Sequence, residues 1–260
     1  LHKLVVCAVF AQWRAGLSSF ASEEVRASRT PYVLLAAALL LLLAGSAWGL
    51  FLAPAEMYMG DVYRILYVHV PTAWNAMLAF TFAFVCALMS LLYGGSKWDS
   101  RLEASMETGV VLSFLLCIQG SLWAKPTWGV WWDWDPRLTT TTIMLVAFAG
   151  VLALRQFVDD PVKRATWSAV AAIVASADVP IVYFSVRWWN SLHQTQSTPA
   201  TVSTLFHWPL RINAIGVLLL MIALITLRSR VAALRLQQEL APPLPAASSG
   251  VPLRAAGEAS

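Results

Sequence analysis

The sequence predicts an all-α protein, a polytopic membrane helix bundle with six transmembrane helices and both termini cytoplasmic. Three observations carry that prediction. The 260 residues are 58% hydrophobic and only 12% charged, with a mean hydropathy of +0.64, whereas soluble domains carry roughly 25% charged residues. Six runs are free of Asp, Glu, Lys and Arg apart from Asp178: residues 30–55, 65–96, 108–124, 138–154, 165–186 and 212–227. A helical crossing needs about 20 apolar residues. The runs are also continuously apolar rather than alternating, which suits helices and not barrel strands, the two structures that satisfy their backbone in lipid.

In chain order, residues 1–30 form a cytoplasmic N-terminal segment. Leu4 to Phe10 behind Lys3 reads as an interfacial helix, with a cleaved signal peptide at Phe20-Ala21-Ser22 as the alternative. Residues 31–230 make the six-helix membrane domain, with the loop at 125–137 on the outward side. Asp178 interrupts the fifth span near Pro180. An ionisable group there is a functional candidate, but proline frees a carbonyl, and a protonated Asp can hydrogen-bond within the resulting kink. Residues 231–260 are a cytoplasmic tail, and Ala241-Pro-Pro-Leu-Pro-Ala-Ala-Ser-Ser-Gly250 has the composition of disorder.

Six crossings put both termini on one side, together with the loops around Lys97 and Lys163. That side holds 13 of the 18 Lys and Arg residues, and Arg64, Lys125, Arg137, Arg187 and Arg211 lie opposite. The positive-inside rule then makes the termini cytoplasmic. The basic residues form no dense patch, which argues against nucleic acid as a partner. Cys7, Cys86 and Cys117 form neither CxxC nor CxxCH and read as small core hydrophobes. No Walker A loop is present, so the chain has no ATPase site of its own.

Of 13 Trp residues, five crowd the outward segment Trp123-Ala-Lys-Pro-Thr-Trp-Gly-Val-Trp-Trp-Asp-Trp-Asp135. A membrane-interface belt needs one or two indoles per helix end. Five form a paved surface suited to a large flat aromatic ligand. Asp135 followed by Pro136 reads as an N-cap with proline at the first helical position. Asp133 reads as solvated or bonded to loop amides.

The segment Trp128-Gly-Val-Trp-Trp-Asp-Trp-Asp-Pro-Arg-Leu-Thr139 resembles the WGxWWxWD signature of the membrane haem-handling proteins of cytochrome c biogenesis. Tyr63-Arg-Ile-Leu-Tyr-Val-His-Val-Pro71 and Trp188-Trp-Asn-Ser-Leu-His-Gln194 are similar to the flanking histidine motifs of the small six-helix members, the haem exporter protein C (cytochrome c maturation protein C) family. The similarity spans roughly residues 30 to 230.

That resemblance implies non-covalent haem b with two axial ligands, His69 and His193, each offering a neutral imidazole. Trp128, Trp131, Trp132 and Trp134 would wall the macrocycle, and Arg64 and Arg137 would meet its propionates through charge-assisted hydrogen bonds. Lys125 and Arg187 are reserves. His207 lies outward but outside the family motifs, and His2 falls on the cytoplasmic side. The resemblance further implies haem held at the periplasmic face of the bacterial inner membrane and delivered to a periplasmic haem chaperone. The family works with an ATP-binding-cassette ATPase, a membrane subunit and a small membrane peptide. Assistance to covalent haem attachment on the chaperone stays open. The competing readings are a cytochrome b-type electron-transfer subunit, whose histidines belong deep in facing helices, and a cofactor-free permease, for which Asp178 is the one prominent charged clue.

Overall fold

The computed structural model describes residues 28–240 except 195, 196, 198, 199 and 201. The N-terminal segment before Ser28 with His2 and Cys7, and the tail beyond Leu240, lie outside the described residues. Among the described residues the chain is a membrane helix bundle without strands, in which six helical segments are long and apolar enough to cross a membrane.

Helix α1 (Thr30–Ala47) runs into a π turn, Trp48–Leu52. A 3-10 turn, Asp61–Ile65, leads into α2 (Leu66–Tyr93), and α3 (Ser96–Trp128) follows at once. Then come α4 (Pro136–Gln156), α5 (Pro161–Ser176), α6 (Asp178–Trp188) and, after a 3-10 turn at Thr204–Phe206, α7 (His207–Leu240). The α2–α3 turn needs Gly94 and Gly95, whose φ angles of 66° and 92° lie where a Cβ is strained. Helices α4 and α5 start alike: Asp135 and Asp160 are N-caps followed by proline, as the Asp135-Pro136 pair predicts.

The charge-free runs misplace some helix ends, because a paired charge tolerates burial. Helix α3 starts well before the expected residue 108, carrying Asp99, Glu103 and Glu107 at four-residue spacing on one face. Arg155 of α4 donates to Asp99 at 2.7 and 2.9 Å, to Glu103 at 2.7 Å and to Ser168 of α5 at 2.7 Å. Arg228 of α7 closes on Glu107 at 2.6 and 2.7 Å. One acidic face of α3 thus ties three other helices together at the end of the bundle away from the Trp segment. Helix α7 continues to Leu240, so residues 231–240 are helical rather than part of the tail.

The core joins α2 through α6. Phe80 of α2 stacks on Phe148 of α4 with ring centres 3.9 Å apart. Gly109 of α3 makes room for them, since a Cβ there would lie 2.6 Å from the Phe80 ring. The fifth span breaks between α5 and α6, as the nearby proline predicts: Pro180 cannot donate to the Ser176 carbonyl. Asp178 opens α6, but its Oδ2 is buried without a partner, so that oxygen does not make the hydrogen bond expected of it in the kink.

Candidate functional site

His69 belongs to the first turn of α2 and is only 7% exposed. The sequence explains how that turn is held. Pro71 has no N–H to give the Tyr67 carbonyl, so the carbonyl would be orphaned inside the bundle. Asn213 of α7 donates its Nδ2 to it at 2.9 Å. Asn75 then donates to the Pro71 carbonyl at 2.9 Å. The Trp123 indole stands edge-on to the His69 ring at 5.4 Å. His69 Nδ1 and Trp123 Nε1 are both buried without a protein partner.

His193 sits in the loop between α6 and α7 and is partly buried. Its Nδ1 lies 3.0 Å from the Gln194 carbonyl. That contact requires the Nδ1–H tautomer and leaves the Nε2 lone pair available to a metal. Burial holds its pKa below the ordinary histidine value, and the Arg137 charge pushes the same way, against the Gln194 bond and the Asp135 carboxylate. Neutral imidazole is the form that ligates. Trp128, at the end of α3, flanks the ring at 6.4 Å.

The two imidazole rings lie with centres 6.4 Å apart and planes 28° from parallel. That is much wider than the 3.9 Å direct stack of Phe80 and Phe148. An ion with an imidazole nitrogen about 2 Å away on either side holds the ring centres roughly 6 Å apart. The rings line a largely apolar cavity of about 270 Å³ together with Trp74, Trp128, Trp132 and Arg137. Among the described residues no group of three or more His, Cys, Asp or Glu side chains could hold a bare metal ion. Two nitrogens leave a tetrahedral ion short of ligands, whereas a porphyrin iron brings four nitrogens of its own and needs only axial donors.

A family model described as Heme exporter protein C matches residues 17–241, most of the chain. The chain belongs to the Heme exporter protein C family. Curated relatives of that name agree. The protein of Bradyrhizobium diazoefficiens is 36% identical over 194 residues, covering 73% of this chain and 74% of the relative. That of Escherichia coli K12 is 34% identical over 195 residues, covering 75% and 80%. That of Haemophilus influenzae is 37% identical over 159 residues, covering 61% and 65%.

Within this member of the Heme exporter protein C family, the expected site residues divide. His69, His193, Trp128, Trp132 and Arg137 meet at the same cavity. The Arg137 guanidinium donates to the Tyr183 carbonyl at 3.3 Å, and its Nε is buried without a partner. Trp131 and Trp134 turn outward, 58% and 72% exposed, and do not line the cavity. The loop itself is shorter than 125–137, because α3 runs to Trp128 and α4 starts at Pro136. Arg64, expected at a propionate, stands apart from these residues. It bonds the Gly49 and Ala53 carbonyls at 2.6 and 2.9 Å and Asp61 at 2.8 Å, bracing the π turn of α1, and it is absent from the cavity wall.

Lys125 caps α3 through the Gly129 carbonyl at 2.8 Å, and Arg187 lies over Phe184. His207 bonds the Val202 carbonyl at 2.8 Å, a structural use. Asp133 is exposed. Cys86 is buried, as expected of a core thiol, while Cys117 lines the cavity. Sequence reasoning missed Asn213, Ser191 and the edge contact of Trp123. A lone Asn in the apolar run at 212–227 was the available signal for the first.

Proposed function

We propose that the chain acts in haem export for cytochrome c maturation, binding haem b non-covalently between His69 and His193 at the periplasmic face of the inner membrane. The 6.4 Å separation of the two imidazole rings carries the reading. The orphaned polar atoms around the same cavity, His69 Nδ1, Trp123 Nε1 and Arg137 Nε, support a polar-edged occupant. Haem is the cargo. Trp74, Trp123, Trp128 and Trp132 would wall it, and Arg137 would meet a propionate. The cavity falls slightly below the roughly 300–1,000 Å³ of ligand pockets that enclose their occupants. A macrocycle held here would keep an edge outside, where an acceptor can reach it.

The excess of basic residues on the side of the termini supports cytoplasmic termini and periplasmic functional loops. Delivery to a periplasmic haem chaperone, with energy supplied by an ATP-binding-cassette ATPase, its membrane subunit and a small membrane peptide, completes the proposal. The test is the absorption spectrum of protein purified in mild detergent, with chaperone-bound haem measured in parallel. His69→Ala and His193→Ala are each expected to lose the six-coordinate spectrum and the chaperone adduct, and His207→Ala to keep both. A parental spectrum in either of the first two rejects bis-histidine binding.

A further inference from the structure

We propose that Asp135 is a positioning residue for the haem site, its carboxylate latching the loop that carries His193 onto the start of α4 and so setting the distance between the two imidazoles. The inference rests on the reading of His193 as a ligand. Asp160 supplies the internal comparison. Its Oδ1 accepts from Val162 N and Lys163 N, both at 2.9 Å, and so caps α5 in the ordinary way. Asp135 occupies the same position before a proline, yet its carboxylate takes only Arg137 N, at 2.9 Å, from its own helix. Its remaining bonds reach more than fifty residues along the chain: Ser191 Oγ donates to Oδ1 at 3.0 Å and Leu192 N donates to Oδ2 at 2.7 Å.

The chain of donors continues to the ligand. A serine hydroxyl has one hydrogen to give and lone pairs to receive with. With the hydrogen directed at Asp135, Ser191 Oγ accepts the backbone N–H of His193 at 3.0 Å. Asp135 is 5% exposed, where charge-assisted hydrogen bonds are strong and losing one is costly. His69 needs no such device, because its position is built into a packed helix. His193 lies in a loop, and loops hold a ligand geometry only when a supporting shell locks them. The asymmetry also identifies the imidazole that leaves first. Opening the latch would release the His193 loop while the packed helix still holds His69 in place, a route to haem release without unfolding the bundle.

The experiment uses the full chain, loaded with haem in cells and purified in detergent. It measures the fraction of ferrous haem that binds carbon monoxide, a probe of an open axial position. His193→Ala is the reference. Ser191→Ala leaves the α4 cap untouched, and Asp135→Ser keeps an N-cap oxygen while losing the reach to Ser191 and Leu192. Each is expected to raise the carbon monoxide-reactive fraction at least about tenfold towards that of His193→Ala, the scale of one hydrogen bond to a charged group. Ser191→Thr, which retains the hydroxyl, is expected to stay parental. Parental reactivity in Ser191→Ala and in whatever Asp135→Ser protein folds, beside a reactive His193→Ala, overturns the latch. Parental reactivity in His193→Ala itself removes the ligand assignment, and the latch with it.

Discussion

The bond from Asn213 to the Tyr67 carbonyl permits a direct test of how α2 holds His69. Pro71 removes the N–H that would pair with this carbonyl, and Asn213, fully buried on α7, replaces it at 2.9 Å. Asn213→Ala leaves a carbonyl inside the bundle with no donor, at a cost of about 1–3 kcal/mol. Opening of the first turn of α2 should become easier by roughly five- to 150-fold. Hydrogen–deuterium exchange of a peptide covering residues 61–75 in detergent reads this directly, and haem occupancy should fall with it because His69 rides on the same turn. Pro71→Ala supplies the missing N–H within α2. Adding it to Asn213→Ala should therefore recover most of the loss, a coupling that unrelated substitutions would not show. Parental exchange in Asn213→Ala, or no recovery in the double variant, would refute the account.

Arg155→Ala should destabilise the bundle by about 3–5 kcal/mol, because Asp99 and Glu103 are left without their buried cation; adding Asp99→Asn should return part of that stability in denaturant titrations. His193 should titrate below the usual midpoint near 6.5, since burial and Arg137 favour the neutral ring. Its contribution to stability is thus present above pH 6.5 and is lost as pH falls through the lowered value, and Arg137→Gln should move the midpoint upward when followed by imidazole NMR of the haem-free protein. Arg137→Ala should weaken haem binding with little change in thermal stability. Arg64→Ala should do the reverse, because Arg64 braces backbone carbonyls rather than the cavity; equilibrium haem titration and thermal melts separate the two.

The six spans, the helix-capping role of Asp135 and the grouping of Trp128 with Trp132 were legible in the chain because each follows from local pattern: unbroken apolar runs, an Asp-Pro pair and indoles crowded into one segment. Motif resemblance singled out His69 and His193, but their 6.4 Å separation came only from the structure. What only the tertiary structure decided concerns long-range partners. Arg64 and Arg137 look alike in sequence, yet one reaches the carbonyls of a π turn and the other the cavity. Trp131 and Trp134 alternate with cavity-facing neighbours in a loop too short and irregular for any periodicity to assign a side. The ends of α3 and α7 escaped detection because charge-free runs assume that a charge marks the membrane boundary, whereas Asp99 and Glu103 pair with Arg155, and Glu107 with Arg228, within the bundle. Composition and short-range spacing dictate which segments become helices. Which polar group answers which orphaned partner is set by helices far apart in sequence, and there the packed structure alone makes the assignment.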